Sequence, residues 1–150
     1  MALWQYTFHL LPNINGELDV KNFSLENNED GFDDSSFWVT ERIDRAFFSK
    51  ISAILPIGKS WSKNIDLYGD EKSNCFTVFV KDNIVQSVSF RVDITSNYEH
   101  VLTGIVDFCI LNGFVIIDED LKIIPLNYLT IKTILDSCIQ HRKMKRFLGP

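Results

Sequence analysis

The stretch Asn74-Cys75-Phe76-Thr77-Val78-Phe79-Val80-Lys81-Asp82-Asn83-Ile84-Val85-Gln86-Ser87-Val88-Ser89-Phe90-Arg91-Val92-Asp93-Ile94 decides the fold. Two arms rich in aromatic and β-branched residues flank a short polar break, which is the pattern of a β-hairpin. In the second arm Ile84, Val88, Phe90, Val92 and Ile94 fall on one face. Ser87, Ser89, Arg91 and Asp93 fall on the other, as a period of two requires. A two-residue loop would set Val78 against Ser87. A three-residue loop, Lys81-Asp82-Asn83, sets Val80 against Ile84 and Phe76 against Val88. Apolar pairing favours the longer loop, with Asn83 tolerating a left-handed backbone.

Before the hairpin, Asn64–Tyr68 reads as a short strand, and Thr40 is a candidate N-cap for a helix. Ile43, Ala46, Phe47, Ile51 and Ile54 recur at helical spacing, and the helix must stop before Pro56. Further upstream, Leu3–Leu11 reads as a strand ended by Pro12 and the Asn13–Gly16 turn, and Leu18–Phe23 as another. Residues 26–36 carry Glu26, Glu29, Asp30, Asp33 and Asp34 with Gly31 and two asparagines, the composition of an acidic surface loop.

After the hairpin, Ser96 and Glu99 have the spacing of a capping box. The helix that follows carries Tyr98, Val101, Leu102, Ile105, Cys109 and Asn112 on one stripe and stops at Gly113. Phe114–Ile117 and Leu121–Ile124 are short apolar runs around Asp118-Glu119-Asp120, a tight acidic hairpin. Asn127 opens a last helix over 127–147, with Ile131, Ile134, Leu135, Cys138 and Ile139 inward and basic last turns. The order of elements predicts an α+β fold: an antiparallel sheet with a central hairpin, packed by about three helices, in one domain over 1–150.

The chain has 150 residues, 45% hydrophobic and 23% charged, which excludes wholesale disorder and a coiled coil. No run reaches the ~18 apolar residues that span a bilayer. Met1–Pro12 has neither a basic n-region nor a small-residue cleavage site, so the expected compartment is the cytoplasm. Cys75, Cys109 and Cys138 are odd in number and form no CxxC, the pattern of reduced core residues. His9, His100 and His141 stand apart, so no zinc site is expected, and no cofactor. Gly58-Lys59-Ser60 lacks the upstream glycine of a phosphate loop, and no nucleophile elbow or HExxH helix is present.

The net charge is −5, unevenly distributed. Beyond Asp120 six cations oppose Asp136 alone, a net of +5, so the first 120 residues carry −10. An acidic part of that size repels nucleic acid and attracts a basic partner. The candidate contacts for such a partner are Glu29, Asp30, Asp33, Asp34, Asp70, Glu71, Asp118, Glu119 and Asp120. Trp61 and Tyr68 are candidate aromatic anchors. Arg91 and Asp93 share a strand face and could clamp a ligand, the basis of an alternative reading as a small enzyme or ligand-binding domain. A DNA mimic or adaptor is a third possibility, which the basic C-terminal helix opposes.

Ser60-Trp61-Ser62, Tyr68-Gly69-Asp70, Ser89-Phe90-Arg91-Val92-Asp93-Ile94, the capped amphipathic helix and a C-terminal helix containing Ser137 resemble one family. It is the small bacterial immunity proteins of polymorphic or contact-dependent growth-inhibition toxin systems. The resemblance runs from about Trp38 to Phe147, with tyrosine at position 68 where the family pattern has tryptophan. It implies a non-enzymatic cytoplasmic protein that binds and blocks one cognate toxin domain, often a nuclease, with no catalytic residues, nucleic acid or membrane involved. The shared residues look structural, so they do not locate the toxin-binding surface. The physical reading agrees: a nuclease needs a basic cleft for phosphates, and an inhibitor covering it gains from an acidic face.

Overall fold

The computed structural model describes residues 4–12 and 35–148. The expected strand over Leu18–Phe23 and the acidic residues Glu29, Asp30, Asp33 and Asp34 lie outside the described residues. The described part is α+β. Six strands form one antiparallel sheet in the order β2-β3-β4-β1-β5-β6. They are β1 (Gln5–Pro12), β2 (Ile65–Gly69), β3 (Cys75–Lys81), β4 (Ile84–Asp93), β5 (Phe114–Ile117) and β6 (Ile123–Ile124). The helices are α1 (Ser35–Val39), a 3-10 helix (Arg45–Ala53), α2 (Glu99–Asn112), α3 (Tyr128–Ser137) and α4 (Ile139–Leu148).

The sheet is organised by rings at matching register positions. Phe8 pairs with Phe90, Phe90 with Phe76, and Phe76 with Tyr68, so four neighbouring strands carry a row of aromatic side chains on one face. Phe8–Phe90 and Phe76–Phe90 stack at 5.0 and 6.4 Å, and Tyr68 meets Phe76 edge-on at 6.3 Å. Such cross-strand pairs add to the area each ring removes from water. Phe48 of the 3-10 helix lies over this row, touching Phe76, Trp38, Phe108 of α2 and Phe114 of β5. Trp38 is fully buried and donates its indole N–H to the Leu10 carbonyl (3.0 Å). The polar handle of the largest core residue is thereby satisfied.

The hairpin forms, but not in the expected register. The loop has two residues, Asp82 and Asn83, both with positive φ (53° and 67°), as a type I′ turn requires. Lys81 pairs with Ile84 and Val80 with Val85. The register then shifts between Phe79 and Val80, so that Val78 meets Val88 and Phe76 meets Phe90. The extra residue falls at Gln86-Ser87, where two polar residues interrupt the alternation. Val85, not Ile84, consequently turns inward with Val88.

Three helix expectations need correction. The first helix is 3-10, capped by the Asp44 carboxylate accepting from Ala46 N, and its buried residues Phe48 and Ile51 are three apart. A three-residue turn therefore replaces the 3.6 period, and Phe47 drifts toward solvent. At α2, Ser96 does not cap. Its hydroxyl donates to Asp93 O and accepts from Asn74 Nδ2, and Tyr98 sits at the N-cap position without a side-chain bond. The left-handed Gly113 (φ 73°) ends α2 as expected. The last helix is two helices. Asn127 caps α3, but Cys138 is extended (ψ 164°) and α4 starts afresh at Ile139. Neither glycine nor proline marks the break. The Ser137 hydroxyl instead bonds back to Thr133 O and Ile134 O, satisfying carbonyls of the last turn.

Candidate functional site

The acidic candidates within the described residues come together through sheet topology. Gly69 and Cys75 pair where β2 turns into β3, and that turn carries Asp70 and Glu71. At the same end Cys75 pairs with Arg91, and Gln5 with Asp93. Strand β5 runs antiparallel to β1 with His9 against Ile117, so its turn, Asp118–Lys122, emerges beside Thr7 at this end too. Residues about fifty apart in sequence thus form one rim. Asp70, Glu71, Glu119 and Asp120 are exposed, with Lys72 and Lys122 on the same turns and Arg91 at the same end of the sheet.

Two glutamines tie the rim together, and both were missed in the sequence. Gln5 is fully buried, and its Nε2 donates to the carbonyls of Glu71 (2.9 Å) and Ser73, holding the β2–β3 turn. Gln140, at the start of α4, donates to the Glu119 carboxylate (2.9 and 3.0 Å) and to the Gln5 carbonyl (3.3 Å). No local signal marks either residue, because their partners lie 21 to 135 positions away.

Asp118 belongs to the turn, not to the exposed rim. It is 6% exposed, and its Oδ1 accepts the backbone N–H groups of Asp120 (3.0 Å) and Lys122 (2.9 Å). Asp118→Ala is expected to cost about 1–3 kcal/mol, because it strands donors that the carboxylate satisfies. The check is urea unfolding beside Asp118→Asn, which keeps one acceptor oxygen and loses less.

A cleft of ≈ 410 Å³ opens between this turn and the α3–α4 break, lined by Tyr6, Glu119, Asp120, Ile134, Cys138 and Arg142 among others. The Tyr6 hydroxyl accepts from Glu119 N (3.1 Å). Burial, chiefly, pushes its ionisation well above the ordinary tyrosine range; the Glu119 bond pulls it down and the nearby carboxylates add to the rise. The phenol therefore stays neutral. Burial also raises the Cys138, Cys75 and Cys109 thiols, so none of the three is an activated thiolate.

The aromatic candidates do not join the rim. Tyr68 is only 4% exposed, because it ends the buried ring row, and it is corrected from anchor to core residue. Trp61 is 61% exposed, but it lies toward the other end of β2. Ile57 pairs with Tyr68, Gly58 N donates to Leu67 O and Ile65 N to Ser62 O, so the loop runs away from Asp70. Near that end Arg45 grips Asp66 through two bonds (3.0 and 2.5 Å), beside Lys63 and Lys81.

Arg91 and Asp93 share the end of β4, where the fold itself engages the Asp93 carboxylate. The Asp93 carboxylate accepts from Ser73 Oγ (3.1 Å) and from Thr95 N (2.9 Å) and Oγ1 (2.5 Å), closing the end of β4. No ion pair joins it to Arg91 among the described residues. Among those residues, too, no group of three or more His, Cys, Asp or Glu side chains could hold a metal ion, and no helix is long and apolar enough to cross a membrane.

Comparison with protein-family models, curated proteins and solved structures finds no match to this chain.

Proposed function

We propose that this chain is an immunity factor, a cytoplasmic protein that neutralises a cognate bacterial toxin domain by covering a basic substrate surface, most simply that of a nuclease. The observation that carries the reading is the gathering of Asp70, Glu71, Glu119 and Asp120, from two distant turns, onto one end of the sheet. Buried Gln5 and the Gln140 bridge hold that end in place. A pre-organised acidic rim speeds encounter with a basic cleft and loses little side-chain entropy on docking. The resemblance over Trp38–Phe147 points to the same class.

The test is a titration. The purified chain is added to the toxic C-terminal domain encoded by the adjacent reading frame, and that domain's activity is followed. Occlusion predicts a linear fall that ends at an equimolar ratio. Full residual activity at saturating chain, or inactivation by substoichiometric amounts, contradicts the proposal.

A further inference from the structure

Helix α4 supplies the Gln140 bridge, but its four cations have no part in the reading so far. Arg142, Lys143, Lys145 and Arg146 are all exposed, and none makes an ion pair among the described residues. Their only acidic neighbour in α3, Asp136, is taken by Lys132 (2.7 Å). Arg142 with Lys145 and Arg146, and Lys143 with Arg146, stand three or four residues apart, where like charges oppose helix formation. The C-terminal end of the helix dipole favours cations in the last turn, and Glu119 and Asp120 line the cleft beside Arg142, but no ion pair neutralises the four among the described residues. Met144 packs on the core, Phe147 meets the Trp4 ring at 6.3 Å, and Gln140 reaches Glu119, so α4 is fixed with its cations outward.

The cationic face is continuous with the acidic rim. Arg142 lines the same cleft as Glu119 and Asp120. A nucleic acid or an anionic lipid surface presents one sign of charge and would meet Glu119 and Asp120 where it reached Arg142. A protein surface can change sign within a few ångströms. We infer that α4 docks on a carboxylate-rich patch of the same toxin domain whose basic cleft faces the rim, so that the interface is two-signed. This rests on the immunity reading and adds to it the charge pattern of the partner. Opposed patches of both signs fix orientation as well as attraction, because a rotated complex sets like charges together.

The probe is the C-terminal domain encoded by the adjacent reading frame, with association and dissociation rates measured at several salt concentrations. Three proteins are compared: the natural chain, a rim variant (E119K/D120K) and an α4 variant (R142E/K143E/K145E/R146E). A neutral version (R142Q/K143Q/K145Q/R146Q) replaces the last if reversal unfolds the helix. The expected result is a fall in association rate of about tenfold or more for each variant, with a flatter salt dependence. An α4 variant that associates like the natural chain, while the rim variant is slowed, overturns the inference and leaves the immunity reading standing. A natural chain that does not bind the domain overturns both. Single-stranded RNA and phosphatidylglycerol vesicles serve as further probes. Binding to either that the α4 variant loses, with its rate toward the domain unchanged, assigns the helix to that polyanion and also overturns the inference.

Discussion

Phe48→Ala is expected to lower the unfolding free energy by about 3–5 kcal/mol, the range for a fully buried phenylalanine. Phe48 touches Phe47, Phe76, Phe108, Phe114 and Trp38, so its removal opens a hole bordered by the sheet, α2 and α1 together. Rings from three separate elements cannot all shift inward to fill it. For a chain of this length the loss is about 6–20 °C in Tm. Phe47→Ala serves as the comparison. That ring is 40% exposed, and its loss should cost distinctly less. A larger loss for Phe47→Ala than for Phe48→Ala would mean that the 3-10 helix is rotated and that Phe47, as the helical spacing suggests, is the inward residue.

Gly69→Ala is the second large effect, about 2–5 kcal/mol. Gly69 has φ 85°, and a Cβ there would collide with the carbonyl oxygen of Asn74. Backbone strain and overpacking each cost of order 1–3 kcal/mol. Gly69 N also donates to Pro56 O (2.7 Å), which fixes the loop bearing Trp61, and the β2–β3 turn begins at the next residue. Gly113→Ala separates the two contributions. Gly113 has φ 73°, but a Cβ there meets nothing within 4 Å, so strain alone remains and the loss is about 1–2 kcal/mol. Urea midpoints with unchanged slopes measure both. A Gly69→Ala chain as stable as Gly113→Ala would contradict the crowding at the β2–β3 turn.

What could be read from the sequence was what local chemistry controls. The arms of the hairpin, the strand before it, the stop at Gly113 and the cap at Asn127 each depend on neighbours within a few residues. The antiparallel α+β arrangement follows from the order of those elements. The hairpin register departs from the expected one because apolar pairing alone makes no allowance for an extra residue, although Gln86-Ser87 breaks the alternation. The 3-10 helix was misread because Phe47 and Phe48 adjoin, and only the packed rings select Phe48. The break at Cys138 has no glycine or proline to announce it. For the candidate site, the acidic turns were legible as turns, but their meeting at one end of the sheet was not. That depends on β1 lying between β4 and β5 and on the Gln5 and Gln140 bridges, both long-range. Tyr68 reads as an anchor because a phenol suits an interface as well as a core, and the register with Phe76 places it in the core.

The same topology separates Trp61 from the acids it was expected to join. An interface centred on the rim needs its apolar contribution from nearer groups. Ile139, 65% exposed, lies in the lining of the rim cleft and is the nearest such group. On the proposed reading, recognition by the acidic rim falls at the 70–71 and 118–120 turns, away from Trp61.

That placement is tested by the association rate with the toxin domain that the proposal requires, measured as ionic strength is raised, for the natural chain and for D70K/E71K/E119K/D120K. The account predicts a rate that falls steeply with salt for the natural chain. The reversed variant is expected to associate about 10- to 100-fold more slowly at low salt, with a rate that no longer falls as salt is raised, because its lysines repel the basic cleft. Coincident curves for the two proteins, with the variant folded and fully inhibitory, would contradict it.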